Sequence, residues 1–332
     1  MATGTGTPVL AVAETEAVAT HALDSADDPE IWVDAKNPDR ALIYATDKKG
    51  GLYVYDLNGK QVQFLAAGPL NNVDLRNGLS QQGLPDTVIA ASDRARNGAR
   101  LFKLDPVTLQ TSEWGFVAMP ASEAYGFCMG ITKAGQLTFI MVGKDGDVSQ
   151  SLITSENGEP KSTLVRQFKV GTQSEGCVVD DATGHLYIAE ENVALWQYSL
   201  DPARGSERKA VETLPSDKLV ADIEGLTLLH DGEKTYLIAS SQGDSAFGVW
   251  RVDGNSPVYQ GRFSVFPGHG IDAVTGTDGV AGFGGQIGPY GKGVVVMQDD
   301  ADTDGEAPAT VRKRQNFKIV DWNDIRKALK ID

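Results

Sequence analysis

Polar side chains recur about every fifty residues along the chain, each at the end of a short apolar run. The six positions are Lys48, Arg94, Lys144, Glu191, Gln242 and Asp299, at spacings of 46, 50, 47, 51 and 57 residues. Three consecutive cations are followed by three residues that offer oxygen ligands. Convergent charges in one cleft are typical of a functional site. The series predicts a site that binds an anion on one side and a metal ion on the other, with a polyanionic substrate between them.

A second, mostly acidic series lies about twenty residues upstream of the first. Its members are Asp28, Asp74, Tyr125, Glu175, Glu224 and Asp278, at spacings of 46, 51, 50, 49 and 54 residues. A ring of carboxylates is unfavourable unless a cation neutralises it. Calcium takes roughly six to eight oxygen ligands. The four histidines form no HxxxH pair and the two cysteines form no CxxC pair, which disfavours zinc. We therefore expect calcium.

The elements that must position these residues repeat with a period of about fifty residues. Six copies of paired apolar runs, with a hairpin signal at Asn58-Gly59, predict an all-β, six-bladed β-propeller of four-stranded antiparallel blades. The segment Pro8–Val18 precedes the first full copy and is expected to close the ring by completing the last blade, which removes exposed edge strands. Helical periodicity is confined to one short stretch, Asp324–Ile331.

The absence of any linker predicts a single domain over residues 1–332. Residues 1–7 are expected to be disordered or an artificial extension. The chain has 30 basic and 45 acidic side chains, a net charge of −15, which argues against a nucleic-acid partner. No apolar run reaches the roughly 18 residues of a membrane span, and the first twenty residues contain no signal peptide. The two cysteines, Cys128 and Cys177, could form a disulfide or remain buried thiols.

The ordered motifs of the chain resemble the β-propeller phytases, the calcium-dependent alkaline phytases of the 3-phytase type. The similarity spans about Glu14 to Trp322 and rests on these segments, read from the printed sequence: DDPEIW from Asp27, KKGGL from Lys48, NNVDLR from Asn71, YGFC from Tyr125, EG from Glu175, IAEE from Ile188, DIEGLT from Asp222, SSQG from Ser240, TDG from Thr277 and QNFKIVDW from Gln315. The resemblance implies calcium-dependent release of phosphate from inositol hexakisphosphate (phytate), leaving lower inositol phosphates. It also implies a secreted or periplasmic monomer that takes phytate as its calcium complex.

The two series and this resemblance together assign roles to residues of this chain. Those expected to hold calcium are Glu14, Asp28, Asn72, Asp74, Asp145, Glu175, Glu191, Glu224, Asp272, Asp278 and Asp299. Those expected to bind substrate phosphate are Lys48, Lys49, Arg94, Lys144 and Gln242. Those expected to act in catalysis are Tyr125, Lys48, Arg94, Lys144 and Glu191. Asp272 is expected at a mainly structural calcium site.

Two acidic segments depart from the family pattern. The family often has Gly-Lys-Glu-Gly where this chain has Asp145 in place of the glutamate, so its carboxylate is one methylene shorter. The loop with Asp300, Asp302 and Asp304 begins like a calcium loop, but Val311 stands where a bidentate glutamate is expected. An additional weak calcium site and a solvated acidic loop both remain open for this segment.

The sequence contains no motif for a covalent phosphatase nucleophile: no Arg-His-Gly, no Cys-x₅-Arg and no Walker loop. We therefore expect direct attack on phosphorus by a calcium-bound water. One alternative is a calcium-dependent lactonase or esterase, since six-bladed propellers support that chemistry too. Another is a propeller that only binds a ligand. Three cations beside a metal cluster favour the phosphatase.

Overall fold

The computed structural model describes residues 4–21, 24–254, 256–308 and 313–331, which fold almost entirely as β-strands. Two short strands come first, β1 (Thr7–Leu10) and β2 (Ala13–Glu14). The strands form six separate sheets, each with four antiparallel strands, and β1 adds a fifth strand to one of them. This is the six-bladed β-propeller that the fifty-residue repeat predicts.

The first strand of each blade is innermost, because the first strands of neighbouring blades contact one another around the whole ring. The strands of blades one to three are β3 (Ala26–Val33), β4 (Ala41–Asp47), β5 (Gly51–Tyr55), β6 (Gln61–Ala66), β7 (Leu70–Arg76), β8 (Val88–Asp93), β9 (Gly98–Asp105), β10 (Gln110–Ala118), β11 (Ala124–Ile131), β12 (Leu137–Gly143), β13 (Asp147–Glu156) and β14 (Glu159–Lys169). Those of blades four to six are β15 (Ser174–Asp180), β16 (His185–Glu190), β17 (Ala194–Ser199), β18 (Arg208–Thr213), β19 (Ile223–Asp231), β20 (Lys234–Ser241), β21 (Ala246–Arg251), β22 (Val258–Phe266), β23 (Val280–Gly284), β24 (Gly293–Asp299) and β25 (Asn316–Asp321).

The hydrophobic core lies between the blades. Successive side chains of a strand point to opposite faces of its sheet, so each blade packs against both of its neighbours. On β4, Leu42 and Tyr44 pack toward the second blade, whereas Ile43 and Ala45 pack toward the sixth. The described residues form six apolar clusters, one between each pair of neighbouring blades. Burial on both faces explains why these strands read as continuous apolar runs.

The N-terminal segment closes the ring, as predicted. Strand β2 pairs with β25 through Glu14 and Lys318 and so supplies the outer strand of the sixth blade. Strand β1, in addition, runs parallel to β22 on the fifth blade. Residues 4–7 also contact that blade, through a hydrogen bond of 2.6 Å from the Thr5 hydroxyl to Asp244. Residues 1–3 lie outside the described ranges.

The one α-helix of the described residues is α1 (Trp322–Leu329), which confirms the helix expected near this end. The Asp321 carboxylate caps it by accepting a hydrogen bond from the Asn323 N–H. Three 3₁₀-helices complete the elements: Leu79–Gln82, Pro202–Arg204 and Gln242–Asp244. Within the described ranges, no helix is both long and apolar enough to cross a membrane.

A disulfide between Cys128 and Cys177 joins β11 to β15. These are the innermost strands of the third and fourth blades, and both sulfurs belong to the apolar cluster between them. The structure therefore adopts the first of the two alternatives that the sequence left open.

Candidate active site

The polar residues of the site lie at β-bulges near the start of the innermost strands. In the first five blades the pairing register shifts at this place, between Ala26 and Pro29, Leu70 and Val73, Ala124 and Gly126, Ser174 and Cys177, and Ile223 and Leu226. A bulge inserts a residue and re-aims its side chain. The bulged residues are Asp27 and Asp28, Asn71 and Asn72, Tyr125, Glu175, and Glu224.

Glycines that follow the bulged residues let neighbouring blades approach closely. A Cβ atom on Gly126 would lie 1.9 Å from the carbonyl oxygen of Glu175, and one on Gly176 would lie 2.1 Å from that of Glu224. Real Cβ atoms do not come so close to another atom, so only glycine fits at these two positions. This close approach sets Tyr125, Glu175 and Glu224 side by side at one mouth of the channel.

Three of the predicted ligands form an acidic cluster at this mouth. Glu175, Glu191 and Glu224 each offer a carboxylate oxygen, and the three oxygens lie within 4.8 Å of one another. All three residues are buried. Among the described residues, Glu191 Oε1 and Glu224 Oε2 have no hydrogen-bond partner. Asn71 donates a hydrogen bond of 2.6 Å to Glu175 and also bonds to Asn72, which places both amides beside the cluster.

Burial and mutual repulsion keep protons on this cluster when no metal is bound. Burial, followed by the charge of Glu175, raises the pKa of Glu191 from 4.5 to about 7. The same two causes raise the pKa of Glu224 well above its usual range. Burial and Glu175 also raise the pKa of the Tyr125 phenol, which therefore stays protonated. Several carboxylates that cannot all ionise together, with unpartnered oxygens, form a site suited to a divalent cation.

Lys48 links the first blade to the sixth through ion pairs with carboxylates of both blades. Its ammonium lies 2.6 Å from Asp24, 3.0 Å from Asp27 and 2.8 Å from Asp278. Gln242 donates to the other oxygen of Asp278 at 2.6 Å. Burial alone lowers the pKa of Lys48, but the charges of Asp27 and Asp278 outweigh it and hold that pKa high. Lys48 is therefore charged, and its three N–H groups have carboxylate neighbours.

Arg94 and Lys144 flank Tyr125 on the second and third blades. The guanidinium carbon of Arg94 lies 5.7 Å from the centre of the Tyr125 ring, and the ammonium of Lys144 lies 5.4 Å from it. Arg94 Nη1 also approaches Asn71 Oδ1 at 3.4 Å. Because Tyr125 and Asn71 both adjoin Glu175, these two cations stand directly beside the acidic cluster.

Four of the predicted site residues either contact groups outside the acidic cluster or have exposed side chains. Asp74 pairs with Arg76 at 2.8 Å and accepts hydrogen bonds from the backbone of Leu75 and Met129, away from the cluster. Asp28 is buried in the channel, where it accepts from the Val73 N–H. The remaining two, Asp145 and Lys49, have exposed side chains.

Glu14, Asp272 and Asp299 form a separate group where the ring closes. They surround the ammonium of Lys318 at 2.7, 2.6 and 3.3 Å, together with Asp302 at 3.2 Å. Of the other two acids of the calcium-like loop, Asp300 accepts from Gln315, and Asp304 pairs with Arg314, which also contacts Asp302 at 3.0 Å. Asp300, Asp302 and Asp304 therefore do not converge on one point, and Asp302 belongs to the Lys318 group.

Backbone hydrogen bonds give the true register of the first series. In the first five blades, the residue after the second strand donates its N–H to the carbonyl of the residue directly before the innermost strand. In the sixth blade, the residue after β24 donates to the carbonyl of Thr275, five residues before β23. The donors are Lys48, Arg94, Lys144, Glu191, Gln242 and Asp300. The member in the sixth blade is thus Asp300, and the sequence series placed it one residue early. In the second series, Asn71 and not Asp74 occupies the bulge.

Several residues of the site were not identified from the sequence. Asp27 and Asp24 contact Lys48, and Asn71 contacts Glu175. Asp222 contributes to the raised pKa of Glu191, and Glu123 pairs with Arg94. Asp27 and Asn71 could have been found by aligning the bulges, because Asp27 directly precedes Asp28 of the second series and Asn71 directly precedes Asn72, which the family resemblance assigned to calcium. Asp24 and Glu123 lie outside both series, so the sequence contained no signal for them.

The fold and the site define a six-bladed propeller with an acidic cluster of carboxylates beside two cationic side chains. The sequence matches the Phytase family over residues 3–332. It is 38% identical to the 3-phytase of Bacillus subtilis (strain 168), in an alignment that covers 97% of this chain and 85% of that protein. The chain belongs to the phytase family. A solved structure of a Lactobacillus plantarum protein has a TM-score of 0.51 at 14% identity, covers 87% of each chain and supports the fold alone.

Proposed function

We propose that the protein hydrolyses phosphate monoesters of phytate with bound calcium, releasing inorganic phosphate and lower inositol phosphates. Its family makes it a phosphoric monoester hydrolase. The observation that carries the proposal is the placement of Arg94 and Lys144 directly beside the cluster of Glu175, Glu191 and Glu224. A phosphate ester needs both parts, since cations bind its oxygens and a metal cluster activates water.

The acidic cluster fits a hard cation such as calcium better than it fits zinc. Its candidate donors are carboxylate and amide oxygens, and two carboxylate oxygens are buried without a partner among the described residues. Hard oxygen donors without imidazole or thiolate favour calcium over zinc. When bound, calcium would neutralise the carboxylates, orient phosphate oxygens and lower the pKa of an attacking water. Glu14, Asp272 and Asp302 offer a second, more structural site.

The roles of the cations follow from their contacts. Arg94 and Lys144 are proposed to bind phosphate oxygens and to stabilise the charge that builds up as the ester bond breaks. Lys48 already contacts three carboxylates, so phosphate can reach it only by replacing one of them. Asp24 is the exposed one, with 51% of its side chain accessible. Tyr125 stays protonated and can donate a hydrogen bond within the cluster.

We also propose that the protein acts as a monomer outside the cytoplasm. A disulfide between two inner strands is consistent with an oxidising compartment. The net charge of −15 keeps the molecules apart in solution. The proposed substrate is a small molecule that occurs as a calcium complex.

Phosphate release from phytate at mildly alkaline pH, with Ca²⁺ and then with excess EGTA, tests the function. We expect release only with calcium. Arg94→Ala should lower kcat/KM by about 10²–10³. Arg204→Ala, at an exposed arginine in the β17–β18 connection, should leave kcat/KM unchanged. Absence of phosphate release under either condition would refute the phytase proposal, and normal turnover by Arg94→Ala would refute the anion-binding role.

A further inference from the structure

Glu123 forms an ion pair with the arginine that faces the acidic cluster. Arg94 Nε donates to Glu123 Oε1 at 2.8 Å, and Arg94 Nη2 donates to the same oxygen. Among the described residues, Glu123 is the acidic side chain that pairs with this guanidinium. Nothing in the sequence series or in the proposed catalytic set assigns Glu123 a role.

This contact uses one particular edge of the guanidinium. The Nε–Nη2 edge is taken up by Glu123, which leaves the Nη1–Nη2 edge for another ligand. Nη1 is also the atom that approaches Asn71 Oδ1, next to Glu175. A guanidinium can bind two phosphate oxygens through one such pair of nitrogens. Glu123 therefore turns the available edge of Arg94 toward the site where substrate phosphate is proposed to bind.

The backbone around Glu123 is itself held on both sides. Ser122, directly before it, donates from its N–H and its hydroxyl to Asp147 at 2.8 and 2.5 Å. Ala124, directly after it, donates its N–H to Asn97 at 2.7 Å. The Glu123 carbonyl oxygen accepts from the Lys144 N–H at 3.3 Å. A carboxylate on so well anchored a backbone can orient a flexible arginine side chain.

We propose that Glu123 is a positioning residue that holds Arg94 ready to bind a substrate phosphate with its Nη1–Nη2 edge. This inference rests on the proposed function and deepens it. An arginine side chain loses considerable rotational freedom when it binds, and an arginine that is already oriented loses less. An opposite effect also exists: the carboxylate of Glu123, paired with Arg94, competes with phosphate for the positive charge and so weakens phosphate binding. The two effects predict opposite results on removal of Glu123.

The test compares Glu123→Ala with Glu123→Gln, using phytate turnover with calcium. Glutamine keeps the Oε1 acceptor and loses the charge. We expect Glu123→Ala to lower kcat/KM about tenfold and Glu123→Gln to stay within about threefold of the wild type. Glu113→Ala is the matched control, because Glu113 pairs with Arg100 on the same blade, at 43% and 19% side-chain exposure against 37% and 24% for Glu123 and Arg94. Glu113→Ala should match the wild type.

Two further measurements distinguish a positioning role of Glu123 from a purely structural role, and both from a failure of the proposed function. Arg94→Lys lacks the Nε–Nη2 pair, so adding Glu123→Ala to Arg94→Lys should cause no further loss. Calorimetry with inositol hexakissulfate, which has the same geometry but is a sulfate ester, should show weaker binding to Glu123→Ala. Wild-type or higher kcat/KM in Glu123→Ala, equal losses in both Glu123 variants, or additive losses with Arg94→Lys would overturn the inference. Failure of the wild type to release phosphate from phytate would instead count against the proposed function, and sulfate-ester binding would still test the positioning of Arg94.

Discussion

At the scale of single residues, the carboxylates of the acidic cluster repel one another, and a bound metal ion would relieve that repulsion. Glu175, Glu191 and Glu224 are buried within 4.8 Å of one another. Burial disfavours the charge on each carboxylate, and each charge disfavours the others. Without metal the cluster therefore opposes folding at neutral pH, whereas the same carboxylates would become ligands if a divalent cation bound there.

Glu224→Gln tests this double role, because it removes one charge and keeps the shape of the side chain. We expect the variant to have a higher thermal midpoint than the wild type in EDTA, since repulsion within the cluster falls. We also expect a smaller rise in the midpoint on adding Ca²⁺, and phosphate release from phytate to fall by about 10². Differential scanning fluorimetry with and without calcium gives both midpoints.

Glu156→Gln serves as the control, because it makes the same charge change at a carboxylate with 68% side-chain exposure. It should alter neither the midpoint in EDTA nor the response to calcium. If Glu224→Gln were destabilised in EDTA and responded fully to calcium, Glu224 would be a structural residue and not a metal ligand.

The raised pKa of Glu191 determines whether the stability of the calcium-free protein rises or falls with pH. This carboxyl titrates near 4.5 in an unfolded chain and at about 7 in the folded one, so the folded state binds its proton more tightly. The free energy of unfolding of the calcium-free protein should therefore fall as pH rises from about 4.5 to 7. Calcium must displace that proton, so calcium affinity should weaken below about pH 7.

Titration calorimetry at pH 6 and pH 8 measures this linkage. At pH 6, two buffers of different ionisation enthalpy should give different apparent heats, because calcium binding releases protons. At pH 8 Glu191 has already lost its proton, so the heats in the two buffers should differ less and the calcium affinity should be higher. Equal affinity and no proton release at both pH values would show that the cluster is not the calcium site.

At the scale of elements, the site depends on five β-bulges and on the glycines beside them. The bulges turn the side chains of the innermost strands toward the mouth, and the glycines let neighbouring strands approach closely enough for those side chains to meet. Gly176 illustrates this requirement, because a Cβ atom there would lie 2.1 Å from the Glu224 carbonyl oxygen.

Gly176→Ala should therefore disturb both stability and metal binding. Forcing β15 and β19 apart is expected to cost about 1–3 kcal/mol of unfolding free energy and to weaken calcium binding, because Glu175 and Glu224 lie on these two strands. Urea denaturation and calcium titration measure the two effects. Gly291→Ala is the matched control, since the nearest atom to its added Cβ would be 3.8 Å away. A Gly176→Ala protein with normal calcium affinity would show that this close approach does not organise the cluster.

The same elements explain how far the sequence could predict the structure. The blades were predictable because their strands are buried on both faces and so form apolar runs at a regular spacing. The register within a blade was harder, because a bulge adds a residue that no pattern of apolar residues reveals. Matching carboxylates by type therefore selected Asp74 where the bulge contains Asn71. In the sixth blade, where two successive aspartates lie at the end of the second strand, neither residue type nor approximate spacing could distinguish Asp299 from Asp300. Glu123 was unpredictable because it belongs to neither recurring series, and its contact with Arg94 arises only from the folded arrangement of two blades.

At the scale of the whole molecule, the ring closes around one buried ammonium. Lys318 on β25 is fully buried and contacts Glu14 on the N-terminal strand β2 at 2.7 Å. Asp272, Asp299 and Asp302 also surround it. Burial alone would lower the pKa of Lys318, but the charges of Asp299, Asp302 and Asp272 outweigh it and raise that pKa above its usual range. The contact that joins the two ends of the propeller is thus ionic as well as hydrogen-bonded.

Lys318→Met should weaken this closure, and calcium should compensate. The variant leaves four carboxylates with no ammonium among them, and removing one partner of a buried ion pair typically costs about 3–5 kcal/mol. We therefore expect a lower thermal midpoint in EDTA. Added Ca²⁺ should raise that midpoint more than in the wild type, because Glu14, Asp272 and Asp302 offer oxygens within 4.8 Å of one another. Lys327→Met, at a lysine with 69% side-chain exposure, is the control. An unchanged midpoint in EDTA would mean that the strand pairing of β2 with β25 closes the ring without help from the buried charge.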